Sequence, residues 1–285
     1  MAKFSRIERN VHQITYDYSM QQNYKFLLMS DIHWDNPHCK RDVLKRHLEY
    51  AAENDVPVIV NGDFFCAMQG KYDGRRSKSN IRDEHNNSRY LDSLVETAVE
   101  WFAPYKNVLQ LIGYGNHETS ILRHCETDLL QRFAALYNAQ ANGNVQIGGY
   151  GGWLLLRFER GKDIQTYRIK YFHGAGGGGI VTKGTIQAQR GMAMIHGADM
   201  QWQGHIHEMW TMTHMAERLN KQNHVELVKV LHVRTPTYKE EYEDGYLDFH
   251  VERGRPPKPI GCYELGIQVR RKDCGGLLPD LRAMY

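Results

Sequence analysis

Cysteine is sparse in this sequence and never paired at Cys-x-x-Cys spacing: Cys39, Cys66, Cys125, Cys262 and Cys274 stand singly. An odd, dispersed set supports neither a disulfide framework nor a thiolate zinc site, and it fits a reducing, cytoplasmic setting. Excess charge of one sign is also lacking. With 36 Lys+Arg against 33 Asp+Glu, the formal net charge of +3 argues by itself for neither a nucleic-acid nor a membrane partner. Nowhere do about 18 uninterrupted apolar residues suggest a membrane span. The stretch Met1 to Tyr18 lacks the apolar centre of a signal peptide. Internal repeats are absent, and Pro256, Pro257 and Pro259 make Arg253 to Pro259 a rigid loop rather than a domain boundary. What is present is a chain of 285 residues, 41% hydrophobic, which can bury a sizeable core. We read residues 1–285 as one soluble intracellular domain.

The first half alternates short apolar runs with amphipathic stretches: Tyr24 to Met29, Arg41 to Ala52, Val56 to Val60, Tyr90 to Phe102, Val108 to Ile112. Strand, helix, strand, helix, strand is the rhythm, and its spacing suits crossover helices and a partly parallel sheet. A helix is expected from Thr119 or Ser120, both good N-caps, to about Tyr137. From Trp153 onward the pattern turns to strands: Trp153 to Phe158, Tyr167 to Phe172, Met209 to Met215, Val225 to Val233 and Tyr263 to Val269. A second, more antiparallel sheet follows, which the C-terminal strands of 208–285 complete. The fold class is α/β, a sandwich of two mixed β-sheets flanked by helices.

Five polar clusters each end an apolar run: Asp31-Ile32-His33, Gly62-Asp63, Gly115-Asn116-His117-Glu118, Phe172-His173-Gly174 and Gly204-His205-Ile206-His207. In open α/β sheets ligands gather beyond the carboxyl ends of strands, where Asp31, Asp63 and Asn116 fall. A pair of metals that activates water needs several fixed O or N donors and one that bridges, and a carboxylate can bridge. Asp31, His33, Asp63, Asn116, His173, His205 and His207 suffice for two ions. With Asp, Asn and His but no thiolate, the set points to Mn, Fe, Ni, Zn or Co rather than Mg or Ca. Of the 15 histidines, the ten outside these clusters are read as surface or core residues.

The order Asp-x-His, Gly-Asp, Gly-Asn-His-Glu, His, Gly-His-x-His resembles the calcineurin-like metallophosphoesterase superfamily over residues 31 to 207. The longer strings from Gly62 to Gly70, from His173 to Gly179 and from Gly204 to Glu208 are also similar to phage-encoded members. The resemblance implies one metal on Asp31, His33, Asp63 and His207 and a second on Asp63, Asn116, His173 and His205, with Asp63 bridging and manganese the expected metal. It implies hydrolysis of a phosphate ester by metal-activated water, with His117 stabilising the transition state and protonating the leaving group. Many relatives carry a second Asp shortly after Gly-Asp that orients the catalytic imidazole. Here the matching region reads Phe64-Phe65-Cys66, so the partner of His117 is open between Glu118 and Asp35, with Glu118 equally suited to a helix N-terminus.

Lys71, Arg75, Arg76, Lys78 and Arg82, with Tyr72 and Asn80, crowd the segment after Asp63 and form the best candidate for substrate contact; a solvated loop is the competing reading. Arg253, Arg255 and Lys258, and Arg270-Arg271-Lys272, read as solvated faces. The glycines from Gly174 to Gly179 lack the Gly-Lys-Ser/Thr ending of a phosphate loop and are expected to let backbone pass close to the metals. Trp153, Trp202 and Trp210 are expected in the core. Phosphodiesters of nucleic acid or nucleotides are the favoured substrates, phosphomonoesters the runner-up. A non-catalytic metal-binding scaffold would predict eroded ligands, and every position is filled. Oligomeric state is not legible.

Overall fold

A computed structural model describes residues 3–19, 22–70, 78–243, 245–246, 249–271 and 276–285. Thirteen strands and six α-helices follow one another among them. The first group is β1 Lys3–Glu8, β2 Val11–Asp17, β3 Asn23–Met29, α1 Arg41–Glu53, β4 Val58–Asn61, α2 Tyr90–Phe102 and β5 Leu109–Gly113. Next come α3 Asn116–Cys125, α4 Leu129–Gln140, β6 Gln146–Ile147, β7 Gly151–Arg160, β8 Asp163–Phe172 and α5 Thr185–Met194. The last are β9 Met200–Gln203, β10 Trp210–Leu219, β11 Val225–Arg234, α6 Phe249–Glu252, β12 Cys262–Val269 and β13 Leu277–Met284.

The strands form two mixed sheets, one in the order β13-β12-β3-β4-β5-β6 and one in the order β1-β2-β7-β8-β9-β11-β10. In the first, β3, β4, β5 and β6 run parallel, as the alternating rhythm requires. Side chains alternate across a strand, so the run Phe26-Leu27-Leu28-Met29 feeds two cores. Leu27 and Met29 pack with Leu44 and Leu48 of α1, Leu94 and Phe102 of α2, and Leu130 and Phe133 of α4. Phe26 and Leu28 face the other sheet, meeting Leu154, Leu156, Phe158, Ile169 and Trp202. Both faces of the six-stranded sheet are thus covered, and its strands read as continuous apolar runs for that reason.

One pairing was not expected and one expectation is corrected. Both ends of the chain cross between the sheets: β1 and β2 join the seven-stranded sheet, β2 lying parallel to β7. Conversely, β12 and β13 do not complete the second sheet but extend the first through β3. The burial of β12 explains its place. Leu265, Ile267 and Val269 face the other sheet, whereas Cys262 packs on the helical side and Glu264 meets Lys25 and Tyr50. A strand buried on both faces needs cover on both, and the six-stranded sheet offers it.

The helix expected through Tyr137 is two helices. Glu126, with φ 52°, ends α3 in the left-handed region, and the Asp128 side chain accepts from Gln131 N at 3.0 Å to start α4. Nor does α3 begin at Thr119 or Ser120. It starts at Asn116, because Glu118 at the third helical position accepts from Gly115 N at 2.9 Å. Of the three tryptophans expected in the core, Trp202 is fully buried, and Trp153 and Trp210 are half-buried.

Leu265 is fully buried in the layer between the sheets. Leu265→Ala should cost about 2–5 kcal/mol, read as a lowered denaturant midpoint with an unchanged slope. A loss below about 1 kcal/mol would mean that this layer is not the core.

Candidate metal centre

The site is built at one edge, where parallel strands of both sheets release the chain. Asp31 and His33 follow β3, Asp63 follows β4, Asn116 and His117 open α3 after β5, His173 follows β8, and His205 and His207 follow β9. Five of these turn sharply enough to take positive φ: Asp31 at 51°, His33 at 48°, Asp63 at 51°, His205 at 74° and His207 at 56°. Asp and His are among the residues that tolerate the left-handed region, yet each such turn costs energy that its surroundings must offset. They do so by interlocking. Asp31 N donates to Gly62 O at 3.0 Å, and His33 N donates to Asp63 O at 2.9 Å. Asp31 O accepts from Tyr238 N at 3.0 Å and Thr237 Oγ1 at 2.8 Å, while Asp31 Oδ2 accepts from His205 N at 2.9 Å.

All seven expected donors come together. Asp63 Oδ2 lies 3.3 Å from His173 Nε2 and 3.9 Å from His33 Nε2. On one side His33 Nε2 and His207 Nε2 are 3.4 Å apart, with Asp31 Oδ1 3.4 Å from His207 Nε2. On the other, Asn116 Oδ1 is 3.3 Å from His173 Nε2, and His205 groups with Asp63 and His173 within 4.8 Å. Ligands about 2.1 Å from a tetrahedral ion lie about 3.4 Å from one another, so the spacing suits ions between them. Asp31 Oδ1 is buried in a geometry that gives it no hydrogen bond, as a ligand atom should be. Asp63 belongs to the second grouping, and its Oδ2 also faces His33 of the first. His173 Nδ1 donates to Asn61 O at 2.7 Å, which leaves Nε2 as the donor atom.

Electrostatics agree with the geometry. Burial works to lower the His173 imidazole, but the Asp63 carboxylate raises it to about 10. Burial opposes His207 as well, and Asp31 and Glu241 carry it to about 9. Buried carboxylates here hold protons on imidazoles, and cations would take over that role. Glu241 was not legible in the sequence: its Oε2 is 3.6 Å from His207 Nδ1 and 3.7 Å from His250 Nε2, and Lys239 Nζ pairs with its Oε1 at 2.6 Å.

His117 does not meet a carboxylate through Nδ1. Its Nδ1 donates to the backbone carbonyl of Cys66 at 2.6 Å, which leaves Nε2 3.8 Å from Asp63 Oδ2 at the margin of the donors. Asp35 fixes that carbonyl indirectly, accepting from Cys66 N at 2.5 Å and Ala67 N at 2.9 Å. Glu118 is a structural tie: it accepts from Phe65 N at 2.8 Å as well as Gly115 N, and burial, then the Asp63 charge, pushes its carboxyl up to about 8. The buried Cys66 side chain also comes within reach of His33 and His117 and could offer a softer donor.

A cleft of about 400 Å³ opens onto His33, Asp63, Asn116, His117, His205 and His207. Its further wall holds Lys239, Arg253, Arg255 and Lys258, so the second basic segment, expected to be a solvated face, lines the site. No local motif marked these residues; the chain returns them from beyond β11. Lys71, Arg75, Arg76 and Tyr72 lie outside the described residues. Arg82 does not reach for substrate: its guanidinium donates to the carbonyls of Asn36, Pro37 and Cys39 at 3.1, 3.3 and 3.2 Å. Gly176, Gly177 and Gly178 line the cleft, and a Cβ on Gly174, with φ 134°, would sit 2.7 Å from His205 Cβ. The glycine run does let backbone pass close to a donor.

No protein-family model matches the sequence, and no curated protein matches it. Among solved structures, GAP50, the anchor in the inner membrane complex of Plasmodium, is similar over 92% of this chain and 85% of its own, with a TM-score of 0.47 and 9% identity. No helix among the described residues is long and apolar enough to cross a membrane.

Metal binding at this cluster should release protons. His173 at about 10 and His207 at about 9 are protonated at neutral pH, and an imidazole must be neutral to ligate. Affinity for Mn²⁺ or Zn²⁺ should therefore rise with pH between about 6 and 8, by about a hundredfold per unit if both protons leave. Calorimetry in buffers of different ionisation heat measures the release; affinity independent of both pH and buffer would rule out ligation by these two rings.

Proposed function

We propose that this chain is a dinuclear-metal phosphoesterase of the calcineurin-like type, acting on phosphodiesters of nucleic acid or nucleotides. The observation that carries the reading is the convergence of all seven donors around Asp63, with His117 beside them but tied through Nδ1 to a carbonyl. One ion would be held by Asp31, His33, Asp63 and His207, the other by Asp63, Asn116, His173 and His205. Bound there, two divalent ions, manganese among the candidates, would polarise the phosphoryl group and make a water nucleophilic at neutral pH.

The protein supplies the rest. Interlocked left-handed turns hold the donors before any ion arrives, so little reorganisation accompanies binding. The Cys66 carbonyl accepts a hydrogen bond from His117 Nδ1 and leaves Nε2 toward the cleft, where it would deliver a proton to the departing oxygen. Such acid catalysis is worth about 10²- to 10⁴-fold. Preference for diesters is supported by the cationic wall, which can receive anionic substrate beyond the reacting phosphorus.

Purified protein should hydrolyse bis-para-nitrophenyl phosphate faster than para-nitrophenyl phosphate when supplied with Mn²⁺, and then DNA, RNA or cyclic nucleotides. No turnover with Mn, Fe, Ni, Zn or Co would overturn the enzyme reading. Asp63→Asn should lower metal occupancy and activity together, because a neutral amide bridges two cations poorly. His117→Ala should keep its metals by elemental analysis while turnover falls by about 10²- to 10⁴-fold. Metal lost from that variant would make His117 a ligand.

A further inference from the structure

The cationic wall is not uniform. Lys239 is committed to Glu241, and Lys258 forms an ion pair with Glu208, both partners lying in the same cleft. Arg255 also lines the cleft, is exposed, and has no acidic partner among the described residues. Its backbone is held at both ends. Arg255 N donates to His250 O at 2.9 Å, and Gly254, with φ 58°, occupies the left-handed position that closes α6. That six-to-one bond with a left-handed glycine is a Schellman closure. On the other side Pro256 and Pro257 stiffen the chain up to Ile260, which bridges Thr237, the residue whose hydroxyl holds Asp31 O. A guanidinium with no counter-ion among the described residues is thereby carried on a short path that begins at the candidate donor Asp31.

A cleft of about 400 Å³ exceeds what one phosphate group fills and lies in the roughly 300–1,000 Å³ range of ligand pockets. We infer that Arg255 is a specificity residue: it binds a second phosphate, adjacent to the one at the metal donors, by paired guanidinium hydrogen bonds. The substrate is then a phosphate ester carrying a flanking phosphate, from either a polynucleotide backbone or a nucleotide bearing two separate phosphates. This rests on the phosphoesterase reading and narrows it. Arg253 and Lys258 shape the same wall, but the unpaired charge of Arg255 makes it the group most available to a new anion.

A matched pair of substrates tests it: the para-nitrophenyl ester of thymidine 5′-phosphate with and without a 3′-phosphate, alongside a single-stranded oligonucleotide. The Mn²⁺-loaded wild type should favour a substrate with a flanking phosphate by about tenfold in kcat/KM, mainly through KM. Arg255→Gln should erase that preference and reduce the salt-dependence slope on the oligonucleotide by about one. Arg255→Lys should keep part of the preference. Preference on the mononucleotide pair marks a nucleotide source, and on the oligonucleotide alone a strand. No preference in the wild type, or one that survives Arg255→Gln, overturns the assignment. If the wild type turns over no phosphate ester, the phosphoesterase reading fails, and Arg255 is judged by titration with thymidine 3′,5′-bisphosphate: weaker binding by Arg255→Gln supports the subsite, equal binding overturns it.

Discussion

The structure depends on keeping Asp63 charged although it is almost wholly buried. Burial alone would protonate the carboxyl, but the surrounding imidazoles, His117 and His173 foremost, hold it well below the usual carboxylate range. Its Oδ1 accepts from His117 N at 3.0 Å, and its Oδ2 is left to the imidazoles. The backbone is bound just as tightly, with Asp63 O accepting from His33 N and Asp63 N turned toward Glu118 Oε2 at 3.3 Å. Even Gly115 answers to it, since a Cβ there would lie 2.0 Å from Asp63 Oδ1. One carboxylate thus dictates a glycine, a capping glutamate and the placement of three histidines.

That dependence explains why the donors could be read from sequence. Each lies one to four residues past the end of a strand, and strand ends in parallel sheets are where sites assemble, so local order carried the information. The elements from β3 to β5 were legible for a related reason: the strands' burial on two faces leaves apolar runs that need no partner to be recognised. What stayed hidden was what depends on distant pairing. Glu241 and Arg255 reach the cleft only because the chain doubles back after β11, and nothing in their neighbours records that. The sheet to which β12 belongs follows from what covers its two faces, which is a property of the assembled layers. The break at Glu126 turned on one left-handed residue inside an otherwise helical pattern.

The absent carboxylate after the Gly-Asp motif is instructive in the same way. Cys66 brings no side-chain carboxylate, and it is its backbone carbonyl that meets His117. A carbonyl cannot be protonated or deprotonated in the working range, so the imidazole here is oriented by a neutral group. A carboxylate sits one step outward, at Asp35, whose two oxygens fix the loop rather than the ring.

The ends of the chain change sheets, and the segment between β11 and β12 ties under Asp31 through Thr237 and Tyr238. In time rather than space, this orders the molecule's assembly on the ribosome. The motif residues from 31 to 207 are synthesised early, yet the turn at Asp31 lacks its two carbonyl partners until residues 237 and 238 have emerged. A nascent chain halted before them carries all seven candidate donors and the bonds that join the turns at Asp31, Asp63 and His205, but lacks the two that fix Asp31 O. The seat of Asp31 is therefore completed only after most of the chain has been made.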